Sequence, residues 1–459
     1  MCSPLSLSGV FYLRHLLSFK NAAMKILFWY NVIIRLMIKE VQKMLKKRNI
    51  LVMPGVLAVF AVLAGCEKQT VATEPEDIPT VTLESAQIGT DETTVSMDMP
   101  ADNEVLEDRN ESGTVSDGDA EEMPALEEEP EVPQVSEYTI VYTGDVCLQS
   151  GVTNTYRSSG VNGVIGEKLL QELTGADYTV INNEFCFSTG GAPEDKQYTF
   201  RADPADVSLL NEMGVDLVSL ANNHALDYGT VALSDTFVTL DDAEISYMGA
   251  GETVERAAEM ITVDVNGYKI GYMAASRVYP TVEWNVLNRQ PGMLPAYDPP
   301  YLAQVVEEKA KECDYLMIYL HWGIERAEHP ESYERSLAQL LIDSGADAII
   351  GSHPHVMQGV EYYQGRPIFY SLGNFVFNKT IGRTAFIRAT IDMEAAKAAG
   401  ADDLSDYVTW QMIPCSASAY CTEELSSPGD MEAFYNYMRS ISYDVEYDSE
   451  TGELTDLNR

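Results

Sequence analysis

Three observations predict an α/β layered domain over residues 138–459. Short apolar, β-branched runs recur along this stretch, segments with helical spacing of apolar residues lie between several of them, and polar residues of a few recurring types directly follow the runs. No short-period repeat competes with this reading.

The elements ahead of the domain are of a different kind. Residues 1–43 carry an apolar stretch, Lys25 to Met37, with interspersed bases. Because Met44 stands directly before a complete export signal, residues 1–43 read as a start assigned too early, the alternative being an additional membrane helix. Residues 44–66 supply the signal: Lys46, Lys47 and Arg48, then the apolar run Ile50 to Ala64, then Leu63-Ala64-Gly65-Cys66. That is a lipoprotein signal peptide with a lipobox, and Cys66 is the predicted lipid attachment. A plain transmembrane helix fits less well, since the run falls short of the ~20 apolar residues a span needs and contains Pro54 and Gly55. The expected location is extracytoplasmic, tied to the cell membrane through the lipid.

Residues 67–137 carry a net charge of −20 and end in Glu127-Glu128-Glu129-Pro130-Glu131-Val132-Pro133. Such a segment cannot bury enough apolar surface to fold and repels itself into an extended tether. The domain that follows is itself at −29 of the chain's −41. It lacks the basic stripe that neutralises phosphates, so nucleic acid is excluded as a partner, as is adhesion to anionic lipid by charge alone. Seven cysteines without a CxxC pair exclude a disulfide scaffold and a structural zinc module.

Within the domain, strands are expected at Tyr138 to Thr143, Tyr178 to Ile181, Val215 to Leu220, Lys269 to Ala274, Tyr315 to Leu320, Ala348 to Ile350 and Pro367 to Tyr370. Helices are expected at Asp206 to Met213, Thr230 to Leu240, Leu302 to Lys311 and Tyr333 to Asp343, with further strands after Ala385.

Gly144-Asp145, Asn183-Glu184, Asn222-Asn223-His224, His321-Trp322-Gly323 and His353-Pro354-His355 each follow a predicted strand, and four of the six histidines fall in these segments. Strand carboxyl ends are where α/β folds bind ligands, so five separated segments point to one place. Singly each is an ordinary turn or cap. Together they offer carboxylate, amide and imidazole donors, a mixture that suits one or two divalent transition metals, Mn, Fe or Zn.

These segments, with Ser219-Leu220-Ala221-Asn222-Asn223-His224-Ala225-Leu226-Asp227-Tyr228-Gly229 and Ser371-Leu372-Gly373-Asn374-Phe375, resemble the ordered signature of the CapA family of capsule-synthesis proteins over roughly Tyr138 to Asn378. That family is similar to the calcineurin-like metallophosphoesterases. The resemblance implies a two-sheet sandwich flanked by helices (αββα), and a part in making or exporting poly-γ-glutamate capsule. It further implies metal ligands at Asp145, Asn223, His321, His353 and His355, with Glu184 as a bridging carboxylate. By the same resemblance His224 protonates a leaving oxygen, oriented by Asp227. The first strand carries Asp145-Val146-Cys147 where the phosphoesterase pattern has Asp-x-His, which implies one ligand fewer at one metal position, or a Cys147 thiolate in its place. Cys186 stands two residues after Glu184 as Cys147 does after Asp145, so a disulfide between them, a thiolate ligand and simple packing all remain open.

Arg201 is a candidate contact for an anionic substrate. Trp322 and Phe375 read as core aromatics, Glu325 equally as a support for a ligand histidine or a solvated glutamate, and His329 as a loop histidine. Three functions compete: a surface metallohydrolase of phosphoesters, a polymer-assembly subunit contacting poly-γ-glutamate or its synthase, and a solute-binding lipoprotein. The last explains none of the histidines.

Overall fold

The computed structural model describes residues 134–459, so the two leading segments, the attachment Cys66 and all but the end of the acidic tether lie outside the described residues. The chain runs β1 (Glu137–Val146), α1 (Ser150–Ser159), α2 (Glu167–Gly175), β2 (Tyr178–Asn183), β3 (Leu217–Ser219), α3 (Gly229–Asp242) and β4 (Ser246–Met248). It continues through β5 (Ile261–Val265), β6 (Tyr268–Ser276), α4 (Pro299–Ala310), β7 (Tyr315–His321), α5 (Ser332–Asp343), β8 (Ala348–Ser352), β9 (Val360–Tyr363) and β10 (Arg366–Phe369). It continues with β11 (Asn374–Val376), β12 (Ile381–Asp392), β13 (Val408–Ser418), β14 (Cys421–Glu424) and α6 (Pro428–Ile441), and closes on a two-stranded antiparallel ribbon, Val445–Tyr447 with Leu454–Asp456.

Two mixed sheets result. The eight-stranded one has the order β14-β13-β12-β1-β2-β3-β4, with β11 also on β1; the six-stranded one has the order β9-β10-β8-β7-β6-β5. β1 to β4 are mutually parallel, as are β6, β7, β8 and β10, so each parallel group ends on one side.

Side-chain alternation explains the layering. In β1, Tyr138, Ile140 and Tyr142 join Ile270, Tyr272, Tyr315, Met317, Tyr319 and Ile350 of the other sheet in one buried cluster, which is the filling between the sheets. Val141, Ile181 and Val218 face the other way, onto Leu169 and Leu173 of α2 and Leu233, Phe237 and Leu240 of α3. Leu316, Ile318 and Leu320 of β7 likewise meet Leu302 and Val306 of α4 and Leu337 and Leu341 of α5. A helix layer, two sheets and a second helix layer follow, the αββα arrangement. Each fully buried Leu, Ile, Val or Phe contributes about 1.5–3 kcal/mol by area transfer, so the three clusters dominate the fold's stability.

Every expected strand is present, most extended by one to three residues toward the polar segment that follows. The helix expected over Asp206 to Met213 is a 3₁₀ turn, Pro204–Val207, running into a short helix, Ser208–Glu212. α1 and α2 have no counterpart among the expected elements; α1 buries only Val152 and Thr153, too weak a stripe to read. The tail after Ala385 holds the added strands β13 and β14, and it also holds α6, whose Phe434, Tyr435 and Met438 pack into the core between the sheets. Among the described residues no helix is long and apolar enough to cross a membrane.

Candidate metal centre

Parallel strand ends from both sheets meet at one locus. β1 delivers Asp145, β2 delivers Asn182, Asn183 and, one residue on, Glu184; β7 ends on His321, and β8 leads into His353 and His355. The turn after β3 delivers Asn222, Asn223, His224 and Asp227. β11 lies parallel to β1 with Asn374 opposite Asp145. All six residues assigned as ligands by resemblance are thus brought together.

Asp145 is fully buried; its Oδ1 accepts from Asn182 Nδ2 at 2.8 Å, and its Oδ2 faces His355 Nδ1 at 3.1 Å. Asn374 Oδ1 lies 2.9 Å from the same His355 nitrogen. His321 turns Nδ1 to the Ser352 hydroxyl at 3.0 Å and Nε2 to Asn223 Oδ1 at 2.7 Å. Asn222 braces the turn: its Nδ2 donates to Asn182 Oδ1 and to the Asn183 carbonyl, while its Oδ1 accepts from the His224 backbone N–H at 3.0 Å. His353 and His355 hold left-handed backbone, φ 96° and 59°. Non-glycine residues adopt that region at a cost, and such strain concentrates where side-chain aim matters.

Glu184 carries the test of whether a cation fits. Its side chain is fully buried, yet neither carboxylate oxygen has a hydrogen-bond partner. The nearest basic atoms, His321 Nε2 at 3.5 Å and His355 Nδ1 at 3.7 Å, stand beyond good hydrogen-bond range. Asn183 Oδ1 and His353 Nδ1 are buried and unpaired as well. Buried polar atoms without partners are costly, and a carboxylate most of all. Two ligand groups form here, Asp145 with Glu184 and His321, and Glu184 with His353 and His355, each with its donor atoms within 4.8 Å of one another. Glu184 is common to both. The oxygen and imidazole donors suit Mn, Fe or Zn.

Electrostatics follow burial. It holds the Glu184 carboxyl well above the usual range, Asp145 adding to the effect, and it pushes the His321 imidazole well below its ordinary value and His353 down to about 3. These two rings are therefore neutral, the form that ligates. His355 differs: burial opposes its charge, but the Glu184 and Asp145 carboxylates outweigh burial and push it up to about 9.

A second group adjoins the first. His224 Nδ1 lies 2.6 Å from Asp227 Oδ2, and its ring stacks on Phe200 with centroids 4.2 Å apart. Asp227 Oδ2 also accepts from the Phe200 N–H, and its Oδ1 pairs with Lys196, whose Nζ donates to the Asn223 carbonyl. The carboxylate thus fixes both tautomer and orientation of His224 and leaves Nε2 to act. Burial lowers the imidazole's proton affinity, and Asp227 opposes that.

Arg201 is not among these residues. It is exposed, its guanidinium lies over the Tyr228 ring at 4.2 Å, and Nη1 donates to the Gly190 carbonyl. The cation that pairs within this second group is Lys196, which no motif announces. Asn182 was legible in principle, since the alternation that turns Val180 inward turns Asn182 inward too. Cys147 and Cys186 are free and buried; Cys147 packs with Val146, Leu148 and Phe185, and burial holds its thiol well above the usual range. The Cys186 thiol donates to the Phe200 carbonyl at 3.4 Å, and Cys147 is in neither ligand group. Trp322 is a core residue whose Nε1 donates to the Tyr370 carbonyl, Phe375 is fully buried, and Glu325 and His329 are exposed.

Residues 139–379, which contain every residue of the cluster, match the family described as bacterial capsule synthesis protein PGA_cap. The chain belongs to this family. Among similar proteins, the PGA biosynthesis protein CapA of Bacillus subtilis is 30% identical over 262 residues, covering 55% of this chain and 68% of that protein. The capsule biosynthesis protein CapA of Bacillus anthracis is 33% identical over 193 residues, covering 41% of this chain and 47% of that protein. Among solved structures, a 5'-nucleotidase from Candida albicans aligns at 11% identity with a TM-score of 0.35, over 61% of this chain and 52% of that one. The PGA_cap match ends before β12, so the C-terminal strands and α6 lie outside it.

Proposed function

We propose that this PGA_cap protein is a lipid-anchored, extracytoplasmic component of poly-γ-glutamate capsule production that works through a divalent metal centre. The anchor reading rests on the lipobox at Cys66, and the capsule reading on the names of the two CapA relatives. The observation that carries the metal reading is Glu184: fully buried, unpaired at both oxygens and common to two ligand groups.

Asp145, Glu184, Asn223, His321, His353 and His355 would hold the metal, one ion or two, which supplies Lewis acidity at the site. The chain's own contribution is positional. Asn182, Ser352 and Asn374 orient the ligands, and His224, held through Nδ1 by Asp227, presents Nε2 to give a proton to a leaving oxygen. This is the equipment of hydrolysis or transfer at a phosphoester or related bond.

The test is metal analysis of the purified full-length chain supplied with Mn, Fe and Zn, alongside capsule production in cells carrying the same variants. Wild type is expected to hold one or two equivalents, Asp145→Ala and His353→Ala to hold fewer and to lose polymer, and His224→Ala to keep the metal but lose about 10²–10⁴-fold in phosphoester turnover. Unchanged metal content in both ligand variants sinks the metal reading. A wild type without turnover on any phosphoester, yet required for polymer, replaces hydrolysis by an assembly role.

A further inference from the structure

A cleft of about 670 Å³ opens beside the cluster, with His355 and Asn374 in its wall. Its other charged lining is unusual for this domain: Arg326, Lys379 and Arg383 against a single carboxylate, Glu328. The domain's net charge is −29, and its cations are mostly spoken for. Arg157 pairs with Asp206, Arg335 with Glu361, Arg366 with Asp347 and Asp403, Arg388 with Glu172, and Arg439 with Glu446. Among the described residues Arg326, Lys379 and Arg383 have no ion-pair partner within 4.0 Å, and all three are exposed.

The backbone holds these cations where they are. Arg326 follows β7, and its N–H donates to the carbonyl of Pro354, between the two ligand histidines, at 2.8 Å. Lys379 and Arg383 flank the turn from β11 into β12. Aromatic rings set the side chains: the Arg383 guanidinium lies 3.8 Å from the Tyr437 ring centroid on α6, and Lys379 Nζ lies 5.1 Å from that of Phe377, a ring that also packs edge-on against His355. Cations held over rings lose less freedom when they meet an anion.

We infer that Arg326, Lys379 and Arg383 form a carboxylate-binding groove that takes one polyanionic polycarboxylate chain and leads it toward His355. The volume lies within the roughly 300–1,000 Å³ of ordinary ligand sites, which admits a short stretch of an extended chain. The domain's net charge repels such a chain overall, whereas three cations against one carboxylate attract it locally at this cleft. The choice of carboxylate over phosphate rests on the capsule reading above, since guanidinium forks accept either.

The test measures binding of a fluorescein-labelled γ-linked glutamate decamer to the full-length chain. The decamer of γ-linked glutamine and tripolyphosphate serve as competitors. Arg326→Gln, Lys379→Gln and Arg383→Gln are each expected to weaken binding about two- to fivefold, and the triple variant at least about tenfold, with unchanged melting temperature and metal content. Lys311→Gln, at the exposed lysine just past the C-terminal end of α4, leaves binding unchanged. The glutamine decamer should not compete. Wild-type affinity in the triple variant, no binding by wild type, or displacement by tripolyphosphate at far lower concentration than by unlabelled glutamate decamer each overturns the groove. Failure here is distinct from failure of the capsule role: a strain that needs the protein for polymer while the triple variant makes polymer normally refutes the groove alone. Loss of decamer binding in the triple variant, with wild-type polymer made in the protein's absence, keeps the groove and refutes the capsule role.

Discussion

Single residues here answer to burial first. Glu334, outside the ligand groups, shows it. It caps α5, with Oε2 accepting from the Glu331 N–H at 2.7 Å, while Oε1 is buried without a partner against Gly323. Burial pushes its carboxyl up to about 7. Between the ordinary glutamate range and that value the folded chain keeps a proton that the unfolded chain has released, so the native state binds more protons and stability falls as pH rises through that window. Glu334→Gln is therefore expected to flatten the slope of unfolding free energy between about pH 4.5 and 7, read by denaturant titration at several pH values. An unchanged slope means that Glu334 ionises freely. At the same scale, the sequence disclosed the carboxylates and imidazoles that sit directly behind strands, because strand ends are visible as the end of an apolar run. It did not disclose Lys196, which reaches Asp227 from a loop between Gly190 and Arg201 that has no periodicity.

Elements converge here because backbones touch. A Cβ on Gly144 would stand 2.0 Å from the Gly373 carbonyl oxygen, the atom that accepts from the Asp145 N–H. That contact sets β11 beside β1 and with it Asn374 beside Asp145. Gly144→Ala should cost ~1–3 kcal/mol or more by forcing the strands apart, whereas Gly175→Ala, at the open end of α2, should be neutral or slightly stabilising. Thermal melts of the two variants decide it, and equal melting temperatures would remove the close approach as a constraint. Strands of both sheets were readable because they are continuous apolar runs, covered on two faces. α1 and the 3₁₀ start at Pro204 were not readable, since neither shows an apolar stripe to a reader of sequence.

At the scale of the whole molecule, charge is organised rather than diffuse: a −29 domain with a −20 segment ahead of it, and a local cluster of cations at one cleft. If Cys66 carries lipid, Cys66→Ala is expected to release the chain into the medium or leave it as uncleaved precursor, seen by detergent-phase partitioning. A processed mutant that still partitions with detergent refutes the anchor. The sequence told which residues would meet and not how the surface cations would group, because grouping depends on turns such as 377–383 that no period encodes.

The pairing of Asp145 with His355 joins residues 210 positions apart in the chain, and His321 meets Asn223 across 98. Contacts that distant form only after the intervening loops have closed, so they come late and slowly in folding. Neither ligand group can assemble on one sheet alone, since each draws on both. During synthesis the first half of the centre must wait for the second. A half-made chain would therefore present neither set of donors, and any metal that both sets together can hold would be taken up only once the two sheets have docked.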